Sequence, residues 1–441
     1  MSVTLIAQTA KKATATLQSL PEEQRLMALE GIAVALTHHL DEILEANKKD
    51  LTEAKNNRLS SAMIDRLTLT QKSVQGLSDM CRDVADQEQV VGTIVEEYSR
   101  PNRLLIQKQR IPIGVIGMIF ESRPNVVVDG AALAIKSGNA IILKGGKEAH
   151  HSNRKIYETI HGAIERILPP GSVSLIETRE DVSELLKLHE YIDLMVPRGG
   201  SALINHVRAN ATMPVVAHDK GLCHLYVHED AEISKVIPII LNAKTQRPGV
   251  CNALESLLIN EKYSDKKNVI DSLINAGVEI RGCEKTRALN EKVKAATNED
   301  FHTEYLDKII SLRIVSDENE AIDHIREHSS HHTEAILAKD PAAIELFMNT
   351  LDASAIVINA STRFNDGGEL GLGAELGIST SKLHAYGPMG AKEMTTTRFI
   401  VKGSGQIRYS EGNMASFDLV SRIDEMELQN ALKNTEKVIN G

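Results

Sequence analysis

The chain has no tryptophan, and aromatic residues make up only 3% of its 441 positions. Its formal net charge is −10, so it lacks both the stacking surface and the positive excess that nucleic-acid binding draws on. No uninterrupted apolar run approaches the ~20 residues of a membrane-spanning helix. The opening MSVTLIAQTAKKATATLQSL has no basic start followed by a long apolar stretch and a cleavage site, so neither a span nor a secretory signal is expected. It reads as an amphipathic first helix. Cysteine is scarce: Cys81, Cys223, Cys251 and Cys283 lie far apart with no CxxC pair. That excludes a disulfide framework and a structural zinc site of the usual spacing, and a reducing, cytoplasmic setting is the expectation. GxGxxG and HExxH are missing as well. None of these absences bars an anionic metabolite, because local arginines, lysines and backbone N–H groups decide that.

What is present is an ordinary globular balance, 42% hydrophobic and 25% charged, on a chain too long for one compact core. Residues 1 to about 98 read as helices, with Ser19 as a candidate N-cap, Pro21 near a helix start, and Leu26, Leu29, Ile32 and Leu36 at helical spacing. The character changes at Arg110. "IPIGVIGMIF", "AIILK", "SVSLIE" and "IDLMVP" are β-type runs. "VVVDGAALAIKSGN" begins strand-like at Val126–Val128 and turns helical. The alternation from about 112 to 227 predicts a parallel, doubly wound sheet, which binds nucleotides beyond the carboxyl ends of its strands. A second α/β region runs from about 230 to 364. A glycine-rich segment, a hairpin-like "TTTRFIVKGSGQIR" turning at Lys402-Gly403, and an amphipathic helix over about 413–441 follow.

At strand ends, "LKGGKE" offers Lys144 and Gly145, and "VPRGGS" offers Gly199, Gly200 and Ser201, where backbone N–H groups could hold a phosphate. In "TQRPGVCNAL", Cys251 follows a Pro-Gly bend with Arg247 and Lys244 nearby. Buried cysteine is common, so core packing and a thiolate nucleophile activated by those cations both fit. Cys81 and Cys223 read as structural, and Cys283 as incidental. His324, His328, His331 and His332 are spaced at i, i+4, i+7 and i+8, but no carboxylate or cysteine completes a metal site. A hydrogen-bonded loop is the reading, with no metal.

Several long motifs follow one another along the chain: "GVIGMIFESRPN", "AIKSGNAIILKGGKEA", "AKTQRPGVCN", "VSDENEAIDHIREHSSHHTEAI", "NASTRFNDGGELGLGAELGIST" and "KLHAYGPMG". Together they resemble the γ-glutamyl phosphate reductases of the aldehyde dehydrogenase superfamily. The resemblance runs to about Arg408. It implies an α/β fold with a Rossmann-type cofactor domain (residues 1–98, 113–228 and 365–393), an α/β catalytic domain (229–364) and an oligomerisation β-flap (99–112 and 394–412), leaving 413–441 as a helical extension. It implies NADPH-dependent reduction of L-glutamate 5-phosphate to the semialdehyde and phosphate. A homo-oligomer, dimer or tetramer, and a link to glutamate 5-kinase are implied too.

By resemblance Cys251 is the nucleophile. Lys144 meets the adenosine ribose side of NADP, Glu304 lies near the nicotinamide ribose, and Asn125 matches the oxyanion-hole asparagine. Arg247, Arg363 and Arg123 are the candidates for the substrate's carboxylate and phosphate. Tyr386 stands where the family usually has arginine. A glutamate that would activate water for thioester hydrolysis is replaced by Ala217-His218, which favours reduction of an acyl phosphate over oxidation to a free acid. A hydrolytic dehydrogenase, a non-enzymatic scaffold and a zinc protein are the competing readings.

Overall fold

A computed structural model describes residues 2–217 and 220–406. Helices α1 (Val3–Ser19), α2 (Glu22–His38), α3 (Leu40–Asn56), α4 (Ser61–Leu67) and α5 (Gln71–Asp86) open the chain. The expectation of helix to about residue 98 fails over its last stretch. Gly92, at φ 89°, turns the chain. β-branched Ile94 and Val95 then begin β1 (Ile94–Ser99), which pairs antiparallel with β2 (Leu105–Pro112).

The first parallel sheet is built from β3 (Val115–Phe120), β4 (Ala140–Lys144), β5 (Val173–Leu175) and β6 (Leu194–Arg198), in the order β5-β4-β3-β6. Helices α6 (Val126–Lys136), α7 (His150–Ile164), α8 (Arg179–Leu185) and α9 (Ser201–Asn210) connect and cover it. β3 and β4 are buried along their whole length, which is why they read as unbroken apolar runs rather than alternating ones. Val126–Val128 are not strand-like after all. They form the first turn of α6, where Pro124 and Asn125 start the helix and complete burial of the valines outweighs their modest helix propensity.

The second sheet has seven strands. They are β7 (Cys223–Val227), β8 (Leu254–Asn260), β9 (Glu279–Gly282), β10 (Lys294–Ala295), β11 (Ile309–Val315), β12 (Thr333–Leu337) and β13 (Ala355–Ile358). Their order is β10-β9-β11-β8-β7-β12-β13, parallel throughout. Helices α10 (Ile233–Thr245), α11 (Lys266–Asn275), α12 (Glu284–Arg287), α13 (Glu318–His328) and α14 (Pro341–Thr350) lie between these strands in sequence. Strand Cys223–Val227, assigned from sequence to the first unit ending at 228, pairs here with β8 and β12. The boundary therefore falls before it. Its fully buried, apolar character suits either sheet, so only the pairing decides.

A short pair, β14 (Ile378–Ser379) and β15 (Gly387–Pro388), precedes β16 (Thr395–Lys402). The return arm of the hairpin expected at Lys402-Gly403 lies largely outside the described residues. Its first arm, β16, pairs antiparallel with β2, completing the sheet β1-β2-β16 that the sequence assigned to 99–112 and 394–412; the strand Ile94–Ser99 is a further member. The expected helix over 413–441 lies outside the described residues.

α7 has no capping side chain of its own. Asp50 of α3, itself buried, accepts instead from the N–H groups of His151 (3.0 Å) and Ser152 (2.8 Å). This fixes the helix that follows the Lys144–Lys147 loop. Replacing Asp50 by Ala leaves those donors unpaired, and a loss of about 1–3 kcal/mol is expected, read as a lowered thermal midpoint. An unchanged midpoint would show that the cap carries no stability.

Candidate active site

β3 is followed by β4 on one side and β6 on the other, so the chain reverses direction across the first sheet between β3 and β6. Residues beyond both carboxyl ends meet there, at the switch point where such sheets take ligands. Phe120 is in register with Arg198, and Ile119 with Lys144. The second sheet presents the amino ends of β7 and β8 to the same place, and Cys251 lies just before β8. A cavity of about 600 Å³ opens between them, with Arg123, Arg198, Ser201, Cys251, Glu304 and Glu375 in its wall.

Cys251 is held from several directions. Arg66 of α4 donates to Gly249 O at 2.8 Å, fixing the bend before it. The Asn252 amide donates to Asn365 O at 2.9 Å, and Thr362 Oγ1 donates to Asn252 O at 2.7 Å. The Cys223 thiol donates to Cys251 O at 3.2 Å. Gly221 packs so tightly that a Cβ there would lie 2.0 Å from Cys251 O. Glu304 Oε1 accepts from Gly221 N at 3.0 Å, closing the arrangement from the far side. Among the described residues no group accepts from the Cys251 N–H, which is free to hold a developing oxyanion.

Cys251 keeps partial exposure, yet the atoms packed around its thiol push its pKa up to about 12. Burial is the main cause. Glu375 and Glu304 add to it, while Arg198 and Arg123 oppose. The sequence reading had Lys244 lowering this pKa, and that is corrected. Lys244 is fully buried and paired with Glu255 at 2.8 Å, its charge matched. Arg247 is exposed and does not line the cavity.

Arg123 lies in the cavity wall, and no described residue accepts a hydrogen bond from it. Burial, with Arg198 and Arg66 beside it, lowers its pKa to about 10. Arg363 stands outside the wall, its Nε donating to Gln246 Oε1 at 2.8 Å, within electrostatic reach of Cys251. Asn125 sits at the start of α6 with its amide donating to Asp129 Oδ2 at 2.8 Å; it does not line the cavity. Gly199, Gly200 and Ser201 line it. The N–H groups of Ser201 and Ala202 have no acceptor in the described chain, and α9 has no side-chain cap. Gly145 lines a second cavity of about 350 Å³ beyond β4 and β5. A Cβ on it would fall 2.0 Å from Asn153 Nδ2, so a larger residue there would displace the Asn153 side chain. Lys144, 9% exposed, is lowered in pKa by burial, with Glu148 the chief opposing charge. Glu148 also accepts from Ser122 N at 2.7 Å, holding Ser122 at φ 41° in the turn after β3.

The model for the aldehyde dehydrogenase family matches residues 1–286. A γ-glutamyl phosphate reductase of Clostridium perfringens is 47% identical over 404 residues, spanning 90% of this chain and 97% of its own. One from Nautilia profundicola is 48% identical over 407 residues, with the same coverage. The chain belongs to the γ-glutamyl phosphate reductases. The crystal structure of such an enzyme from Thermotoga maritima superposes with a TM-score of 0.89 at 42% identity, covering 93% of this chain and all (100%) of that one. An acetylating aldehyde dehydrogenase from Geobacillus thermoglucosidasius shares the fold alone, at TM-score 0.69 and 19% identity. The chain is thus an oxidoreductase of the aldehyde dehydrogenase family, whose enzymes use a nicotinamide cofactor.

Sequence reasoning saw Arg198 only as the cation of "VPRGGS" at a phosphate site, and it passed over Glu375. Arg198 Nη1 donates to Glu375 O at 3.0 Å, and the Glu375 carboxylate accepts from Gly367 N at 2.8 Å. Both residues stand in quoted motifs, "VPRGGS" and "GAELGIST". A charged side chain set among glycines at a strand end was the available signal. Tyr386, where the family usually has arginine, donates to Asp352 Oδ1 at 3.1 Å, away from this cavity. Among the described residues no group of three or more His, Cys, Asp or Glu is placed to hold a metal. His324 and His328 instead pack ring on ring at 4.3 Å, and the Ser329 and Ser330 hydroxyls hold the following loop.

A raised thiol pKa fixes the sign of a pH dependence. In the ligand-free protein, alkylation of Cys251 by iodoacetamide is expected to rise about tenfold per pH unit between pH 7 and 9, following the thiolate fraction. A flat rate over that range would mean that the thiolate is already formed.

Proposed function

We propose that the chain reduces L-glutamate 5-phosphate to L-glutamate 5-semialdehyde and phosphate with NADPH, through a thioester on Cys251. The observation that carries this reading is the partly exposed thiol of Cys251 in one cavity with the unpaired guanidinium of Arg123. A nucleophile and a free cation side by side suit an acyl phosphate.

The cofactor's fit is supported by the uncapped N-terminus of α9, whose free N–H groups suit a pyrophosphate. It is also supported by the glycine cradle at Gly145. Lys144 and Gly145 are read on the adenosine side, Gly199, Gly200 and Ser201 at the phosphates, and Glu304 at the nicotinamide ribose. The preference for the 2′-phosphate of NADP is read from Lys147 in the second cavity. Reduced nicotinamide, when bound, supplies hydride to the thioester carbonyl.

The chain's own residues account for the rest. Arg123 and Arg198 stabilise the negative charge of the thiolate and of the incoming phosphate. Thiolate attack on the acyl carbon forms a C–S bond and a tetrahedral oxyanion, which the Cys251 N–H can receive. Asn125 reaches this position only if its amide leaves Asp129. Collapse expels phosphate, and no water need be activated. After reduction, cleavage of the C–S bond returns the thiolate and frees the aldehyde. Arg363, within electrostatic reach of Cys251, and Arg247 are read as holding the substrate carboxylate. The β1-β2-β16 sheet is read as the homo-oligomer contact. A cytoplasmic setting is supported by free thiols at Cys81, Cys223, Cys251 and Cys283.

The reaction run backwards tests this. NADP⁺ reduction by glutamate semialdehyde is expected to require inorganic phosphate and to fall at least about 10³-fold in Cys251→Ala. Phosphate-independent turnover would instead support a hydrolytic dehydrogenase. Arg123→Ala is expected to raise KM for phosphate by about 10–100-fold with a smaller effect on KM for NADP⁺. An unchanged KM for phosphate removes Arg123 from the anion site.

A further inference from the structure

Lys244 and Glu255 form an ion pair at 2.8 Å, with 0% and 1% of their side chains exposed. Lys244 comes from α10, before the nucleophile, and Glu255 from β8, after it. Burying two charges is costly, and a well-packed apolar pair commonly serves stability as well. What distinguishes this pair is its third contact. Glu255 Oε1 accepts from the backbone N–H of Leu306 at 3.2 Å. Leu306 is held at φ 54°, a left-handed conformation that a branched side chain disfavours, and it lines the cavity beside Cys251. Two residues before it, Glu304 grips Gly221 N, and Gly221 lies against the Cys251 carbonyl. The contacts close a ring. It runs from β8 through Glu255 to Leu306, back along the chain to Glu304, and through Gly221 to the nucleophile.

We propose that the buried Lys244–Glu255 pair is a positioning element that holds Glu304 in register with Cys251 through the Leu306 N–H. Lys244 balances the buried charge of Glu255, the Glu255 acceptor fixes the strained loop, and the loop aims the Glu304 carboxylate. This rests on the reading of Glu304 as the carboxylate that meets the nicotinamide ribose. Glu255 itself lies outside the cavity wall.

The test compares full-length K244M/E255L, K244M/E255Q and E304A with the parent. The first removes both charges together, leaving no lone buried charge, and removes the acceptor for Leu306. The second keeps an acceptor. The Kd for NADPH, read from nicotinamide fluorescence, is expected to rise at least about tenfold in K244M/E255L and to stay within about threefold in K244M/E255Q. Alkylation of Cys251 in the cofactor-free protein should stay within about twofold in both. A parent-like Kd in K244M/E255L overturns the proposal. So does equal weakening in the two double variants, or a change in alkylation as large as the change in Kd, since either marks general loosening. If K244M/E255L does not fold, E255Q decides: an unchanged Kd supports the Leu306 bond and a tenfold rise overturns it. E304A separates the two readings. Weak binding in E304A beside normal binding in K244M/E255L overturns only the positioning role, whereas normal binding in E304A overturns the reading of Glu304 and the proposal with it.

Discussion

Everything at this site depends on how closely the backbone of Gly221 approaches the carbonyl of Cys251. There is no room for even one carbon between them. That contact joins the approach to β7 with the bend that precedes β8, so Cys251 is positioned by main chain rather than by its own side-chain contacts. Main-chain positioning leaves the thiol free. It also lets neighbouring segments act on Cys251 through the same backbone: the Cys223 thiol on the Cys251 carbonyl, Glu304 on the Gly221 N–H, and Arg66 on the Gly249 carbonyl.

The electrostatics follow from that placement. Thiol, carboxylates and guanidinium groups are crowded into a partly dry cleft, and each is shifted toward its neutral form. Cys251, Glu304 and Glu375 are raised, and Arg123 is lowered. A site in this condition carries unfavourable self-energy that an anionic ligand relieves, because its charge is welcomed by Arg123 and Arg198. An anionic ligand and a Cys251 thiolate would draw on the same two guanidinium groups.

The two sheets divide the work by geometry. The first turns its carboxyl ends to the cleft and offers helix and loop N–H groups suited to phosphate. The second turns its amino ends there and offers the bend bearing Cys251. Two parallel sheets meeting end to end in this way leave a cavity between them.

Much of this was legible in the residues. Period and strand–helix alternation located β3, β4 and the helices that follow them, because complete burial writes itself as an apolar run. The quoted motifs contain Cys251 and Lys144, and the family resemblance pointed to Glu304. The sequence could not say that Cys223–Val227 joins the second sheet, that Thr395–Lys402 pairs with the distant strand β2, or that Val126 begins a helix. Those are choices of partner, and strands of similar apolar character fit several partners equally well by pattern. Lys244 is the sharpest case. Proximity in sequence made it a neighbour of the thiol, and the fold turned it inward to Glu255, because a buried cation lowers its energy most beside a buried carboxylate. The sequence by itself determined which chemical groups this protein owns. Only the tertiary structure decided which of those charges answer one another and which, like Arg123, are left for a ligand.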